Sequence, residues 1–333
     1  GSVCARCEGD MGLCCSRTKL PPHLAVKYSA ACPPINGDDL QDSEQLQQSC
    51  EFNRSFDNSL WLFSRAWQPR EKSVWATLMI VHGTVDHSGV YAELGEFLAM
   101  QGVAVFASDM RGWGRSDGEA LYVDNIDSFM GDILSDYQRI HSSGSPYANV
   151  TSRFLLGKSI GGLFAAWTAA QHRGKWTGLI GLSGAFQIDP SVKPSAAALA
   201  LVRAIASCAP KLGLKPPFDP KLIVSDSGAL EAWERDPLVS RGKLTAGYIL
   251  EMLRLQEILP DQLTHLSIPV LMLWGTGDKV VTEAGHTLVL EASKSPASQF
   301  LRYQSGFHNL LAEPKLKETV ARDLCKWMRQ LSV

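Results

Sequence analysis

The first fifty-seven positions carry apolar residues without a period, and the pattern changes at residue 59. From there, short aliphatic and β-branched runs alternate with helix-length segments. Residues 59–67 and 75–81 read as strands, 89–101 as a helix, 103–108 as a strand and 126–143 as a helix. A strand at 153–157, a helix at 160–172 and a strand at 179–183 continue the rhythm. This is the pattern of an α/β protein whose mostly parallel central sheet is flanked by crossover helices.

The alternation then stops. Pro190, Pro194, Pro210, Pro216, Pro217 and Pro220 break the next stretch, and a helical run at 245–258 closes it. Residues 187–265 therefore read as an insertion, a cap or lid lying over the sheet. A strand at 268–274, a helix at 283–292, a strand at 299–303 and a helix at 315–331 resume the earlier order. The chain divides into a Cys/Pro-rich extension (1–57), a first core part (58–186), the cap (187–265) and a second core part (266–333).

Composition narrows the class. The chain has 333 residues, 45% apolar and 20% charged, as expected of a globular enzyme. A formal net charge of −2 gives no pull toward nucleic acid, so none is expected as a partner. No apolar run approaches the ~20 residues of a transmembrane helix. Six of the eight cysteines (Cys4, Cys7, Cys14, Cys15, Cys32 and Cys50) lie in the extension, leaving the body almost nothing to staple. The body thus reads as built for a reducing, cytoplasmic compartment. Gly1-Ser2 reads as a cloning remnant and is kept out of fold reasoning.

Gly157-Lys158-Ser159-Ile160-Gly161 sits between the apolar run FLL and the helical run LFAAWTAA. A serine on a sharp strand-to-helix turn needs small neighbours two positions away on either side, and Gly157 and Gly161 meet that need. The helix start behind it favours developing negative charge. A hydroxyl needs a base, and the base an orienting acid. Asp278 follows the apolar strand PVLMLW in Trp274-Gly275-Thr276-Gly277-Asp278, and His308 follows the strand at 299–303 in Ser305-Gly306-Phe307-His308.

A G-x-S-x-G by chance, a turn aspartate and a surface histidine are the ordinary readings of each residue alone. Together the three follow the order Ser…Asp…His, each on a loop after a strand, which points to Ser159 as nucleophile, Asp278 as acid and His308 as base. Backbone N–H groups of Ile160 and Thr84 are the candidate oxyanion donors, with Gly83 letting the backbone approach the substrate. His82 is expected to pack beneath that loop. No metal site and no cofactor are expected.

HGTVDHSGVYAELGEFLAMQGVAVFASDMRGWGRSDG, GKSIGG, DPLVSRGKLTAGYILEML, LSIPVLMLWGTGDKVV and YQSGFHNLLAEP occur in that order. These segments resemble the oxyanion, nucleophile, cap, acid and histidine segments of monoacylglycerol lipases and lysophospholipases, plant-type members most of all. The likeness spans roughly residues 58–331. It implies an α/β-hydrolase fold, a cap over the site, no cofactor and hydrolysis of a glycerolipid ester, monoacylglycerol first. Two positions depart: Lys158 and Trp274 stand where the family usually has histidine. Lys158 is read as stabilising the loop or merely packing its stem, with the packing reading preferred.

Alternatives stay open: a lysophospholipase, a phenolic-ester (caffeoylshikimate-type) esterase, a protein palmitoyl thioesterase, or a ligand-binding receptor on the same fold. The apolar run at 196–202 reads either as core packing or as a lid lining an acyl tunnel and meeting lipid. In the extension, Met11-Gly12-Leu13-Cys14-Cys15-Ser16 resembles an acylation start, with S-acylation at Cys14 or Cys15 the form that needs no free terminal glycine. Peripheral membrane contact through cap and extension is the corresponding expectation.

Overall fold

The computed structural model describes residues 31–35, 46–70, 72–214 and 219–332. Among these, eight strands form one sheet: β1 (Leu46–Arg54), β2 (Trp61–Pro69), β3 (Ala76–Val81), β4 (Val103–Ser108), β5 (Ser152–Lys158), β6 (Gly178–Leu182), β7 (Val270–Gly275) and β8 (Gln299–Tyr303). Their spatial order is β1-β2-β4-β3-β5-β6-β7-β8. The β1–β2 and β2–β4 pairs are antiparallel and the remaining neighbours parallel. The helices are α1 (Ala92–Met100), α2 (Ile126–Ile140), α3 (Ile160–Gln171), α4 (Ala196–Cys208), α5 (Ser227–Arg235), α6 (Ala246–Leu263), α7 (Glu283–Ser293) and α8 (Lys317–Leu331).

Burial on both faces explains why the parallel strands read as unbroken apolar runs. All six residues of β3 are buried, Leu78 and Ile80 toward the core under α1 and α8, Met79 and Val81 toward the core under α2, α3 and α6. Helix α3 is apolar all round because every residue from Ile160 to Ala170 is buried between sheet and helices. By contrast α8 presents Val320, Leu324, Trp327 and Met328 as one buried stripe.

Three differences from the sequence reading have physical causes. Strand β1 lies within the segment assigned to the extension, so the boundary at residue 57 puts part of the sheet on the wrong side. LQQSCEFNR is an edge strand held by nine main-chain pairings with β2, and an edge needs no clean apolar alternation. The helix expected at 89–101 begins as a 3-10 turn at Ser88–Tyr91, capped by His87, before α1 takes over. Helix α6 runs past Pro260 to Leu263, because Leu255, Leu259 and Leu263 are all buried and hold the turn that proline would otherwise end.

The chain leaves β3 for β4 on one side and reaches β5 on the other, which makes the C-terminal ends of β3 and β5 a switch point where a crevice opens. Between β6 and β7 the chain departs from the sheet through α4, α5 and α6. Among the described residues no helix is long and apolar enough to cross a membrane.

Candidate active site

Ser159 stands between β5 and α3 with φ 52° and ψ −123°, a conformation an L-residue holds only when its surroundings enforce it. Its N–H donates to Leu182 O at 3.1 Å, and its carbonyl accepts from Gly162 N at 2.9 Å and Ala185 N at 2.7 Å. A Cβ on Gly157 would lie 2.2 Å from Gly161 O, and one on Gly161 would lie 2.1 Å from Val81 O. Only glycine permits these main-chain approaches, so the small residues flanking Ser159 are dictated by backbone rather than by substrate.

Asp278 and His308 meet Ser159 from loops after β7 and β8. Asp278 Oδ1 accepts from the N–H groups of Val280 at 2.8 Å and Val281 at 3.1 Å, which leaves Oδ2 aimed at the imidazole. His308 Nδ1 lies 2.8 Å from Asp278 Oδ2 and Nε2 lies 3.0 Å from Ser159 Oγ. A carboxylate only accepts, so Nδ1 carries the hydrogen and Nε2 is the acceptor facing the serine hydroxyl. Both side chains are buried, and the two loops lock together through Gly277 N to Gly306 O at 2.9 Å and Thr276 N to Tyr303 O at 3.0 Å.

The loop after β3 brings Gly83 and Thr84 against Ser159. Gly83 is required by crowding: a Cβ there would sit 2.7 Å from Asp86 Oδ2 and 3.2 Å from Ser159 Cβ. Thr84 O accepts from Trp113 Nε1 at 2.6 Å. The Thr84 N–H has no hydrogen-bond partner among the described residues, and the Ile160 N–H, at the first position of α3, has no intrahelical acceptor. His82 is fully buried beneath the loop, its Nε2 accepting from Met110 N at 2.9 Å and its Nδ1 donating to Gly83 O at 2.8 Å. Burial holds its pKa below the ordinary histidine value, so it stays neutral.

Lys158 does more than pack its stem. Its ammonium is buried with the Asp86 carboxylate, Nζ to Oδ2 2.8 Å, and that same oxygen accepts from Gly83 N at 3.1 Å and Tyr91 OH at 3.3 Å. Burial pushes the Asp86 carboxyl up, but the adjacent ammonium and these donors outweigh it and hold its pKa below the usual range. Asp86 thus joins Lys158, the residue before Ser159, to the loop after β3. Composition and spacing offered no signal for it, since an aspartate three residues after a glycine is common in turns. Trp274, the other departure, is buried with Nε1 on Val281 O at 3.3 Å.

A cavity of about 410 Å³ opens onto Ser159, Thr84 and Ile160. Its walls are mostly aliphatic, with Val202, Leu214, Leu244, Ile249, Met252 and Val281 among them. The segment between β6 and β7 is tied to the site at several points. His87 Nε2 meets Asp236 Oδ2 at 2.8 Å, Trp233 Nε1 donates to Val85 O at 3.3 Å, and Asn309 N, next to His308, donates to Ile223 O at 2.7 Å. Burial lowers the His87 pKa, but the Asp236 carboxylate and its neighbours raise it above the ordinary value. Cys14 and Cys15 lie outside the described residues.

A mostly parallel sheet with a strained serine at its switch point, joined through a histidine to an aspartate, defines an α/β-hydrolase. The chain belongs to the family described as serine aminopeptidase, S33, which it matches over residues 72–315. Monoglyceride lipase of Homo sapiens is similar, 29% identical over 271 residues, 81% of this chain and 87% of that protein. Caffeoylshikimate esterase of Arabidopsis thaliana is 28% identical over 274 residues, 80% of this chain and 81% of that one. The crystal structure of Paleococcus ferrophilus monoacylglycerol lipase shares the fold with a TM-score of 0.71 at 24% identity, covering 81% of this chain and 99% of the other.

Proposed function

We propose that the protein hydrolyses carboxylic esters of glycerolipids, monoacylglycerol foremost, by two-step acyl transfer. The observation that carries this reading is the continuous relay from Asp278 through His308 to Ser159, opening into an aliphatic cavity. Ser159 Oγ attacks the ester carbonyl while His308 Nε2 takes its proton, and the N–H groups of Thr84 and Ile160 bind the oxyanion. The C–O bond to glycerol breaks as His308 returns the proton to the leaving oxygen. Water then repeats the attack on the acyl-enzyme, and the fatty acid departs.

The similarity to a caffeoylshikimate esterase favours a second reading, a phenolic ester as substrate. The cavity wall argues against it: among the described lining residues Tyr248 and no other large ring stands near Ser159, and aliphatic walls suit an acyl chain better than a planar aromatic acid. Helices α4 to α6 act in this proposal as the cap. Helix α4 buries only Val202, leaves Leu201 62% exposed, and is the face offered to a lipid surface by a protein working in a reducing, cytoplasmic setting.

Ser159→Ala should lose both monoacylglycerol turnover and labelling by a fluorophosphonate probe. Retained labelling would remove Ser159 as the nucleophile. A matched panel of monoacylglycerols, lysophospholipids and caffeoyl esters decides the substrate, and faster caffeoyl-ester turnover would overturn the lipid reading.

A further inference from the structure

Thr84 and Tyr248 both line the cavity that holds Ser159, and their side-chain hydroxyls are hydrogen-bonded to each other. Two hydroxyls bring two hydrogens, and their mutual bond uses one. Neither oxygen has another hydrogen-bond partner among the described residues, so one O–H hydrogen of the pair is left without an acceptor there. Both side chains are buried, which makes an unused donor costly unless a ligand takes it.

The phenol is the stronger acid of the two and the better donor, so Tyr248 donates to Thr84 Oγ1 and the spare hydrogen belongs to Thr84. A hydroxyl that accepts from a phenol becomes a better donor in turn. Burial keeps Tyr248 protonated, since it raises the phenol pKa far above its ordinary value. The threonine is also held: Trp113 Nε1 fixes its carbonyl at 2.6 Å, and Asp86 fixes Gly83 N before it at 3.1 Å. Its N–H and its Oγ1 are three bonds apart on one residue, so an oxygen bound by the first lies within reach of the second.

We infer that the Thr84 hydroxyl is a third donor to the oxyanion, set in place by Tyr248. The inference rests on Ser159 as nucleophile and on Thr84 N–H as an oxyanion donor. Thr84 is thereby a catalytic residue and Tyr248 a positioning residue. Because Tyr248 lies on α6, in the segment between β6 and β7, that helix is wired directly into transition-state stabilisation.

Thr84→Val keeps shape and main chain while removing the hydroxyl. It should lower kcat roughly ten- to a hundredfold with KM nearly unchanged. Inhibition by a trifluoromethyl ketone, whose adduct presents an oxyanion, should weaken by the same factor as kcat/KM. Thr84→Ser should recover most of the loss. Tyr248→Phe should cost less than Thr84→Val and nothing further in the Thr84→Val background. A Thr84→Val enzyme with wild-type kcat and inhibitor affinity, or losses that multiply in the double variant, overturns the inference. Should Thr84→Val not fold, Thr84→Ala and Tyr248→Phe carry the same comparison, and wild-type kcat in both overturns it equally. Final fluorophosphonate labelling of the Thr84 variants should stay complete. If instead Ser159→Ala still turns over substrate, the nucleophile assignment has failed rather than the role of Thr84.

Discussion

Lys158→Met removes a buried ammonium and keeps most of its volume. Both partners of the ion pair have side chains only 3% exposed, with Nζ and Oδ2 2.8 Å apart. Without Lys158, the Asp86 carboxylate keeps two neutral donors, Gly83 N at 3.1 Å and Tyr91 OH at 3.3 Å. Leaving one charge of a buried pair uncompensated costs about 3–5 kcal/mol, a large part of the 5–15 kcal/mol typical of a whole domain. In a chain of 333 residues that loss lowers Tm by roughly 4–7 °C.

The pH dependence should change sign of slope at the acid side. In the wild type Asp86 has a lowered pKa, so its stabilisation is present above the unfolded carboxyl value and is lost as pH falls. With the ammonium gone, burial dominates and raises the same pKa, so the deficit of Lys158→Met should shrink as the pH drops. Urea midpoints at several pH values measure this, and Lys158→Met/Asp86→Asn should recover most of the loss. Because Asp86 also fixes Gly83 N, turnover of the folded variant should fall roughly tenfold. A Lys158→Met protein within about 1 kcal/mol of wild type and with the same pH slope would refute the claim that this ammonium neutralises Asp86.

Two further outcomes follow from the packing and the buried histidines. Gly161→Ala places a Cβ 2.1 Å from Val81 O and 2.5 Å from His82 O, main-chain atoms that cannot move aside, so it should cost about 3 kcal/mol or more. Gly144→Ala, with nothing within 4 Å, should stay within about 0.5 kcal/mol, and equal thermal melts for the two would contradict the crowding argument. His286 is buried neutral, with Nε2 accepting from Gly184 N at 2.9 Å, and burial pushes its pKa down to about 4. Its unfolded form takes a proton near pH 6.5 and its folded form does not, so stability present above that value is lost as pH falls toward 4, by up to about 3 kcal/mol. His286→Gln should flatten the urea midpoint between pH 7 and pH 4.5; an unchanged slope would assign the acid loss elsewhere.

The alternation of apolar runs and helical segments was legible because parallel strands buried on both faces leave few polar positions to break the run, as in ATLMIV and VAVFAS. Ser159, Asp278 and His308 were legible as a set because each stands on a glycine-flanked loop after such a strand, and the glycines answer to local backbone crowding. Edge strand β1 escaped notice, since main-chain pairing with β2 holds it and its side chains need no pattern.

The sequence alone therefore determined the fold class, the order of the core elements from β2 onward and the loops that carry candidate chemistry, all properties of local periodicity and turn geometry. The tertiary structure decided which distant polar groups meet: Lys158 with Asp86 across 72 positions, Thr84 with Tyr248 across 164, His87 with Asp236 across 149. Such pairings have no local signature. A buried charge or hydroxyl is tolerable only beside its partner, and that partner is brought there by sheet topology and by the path of the chain between β6 and β7.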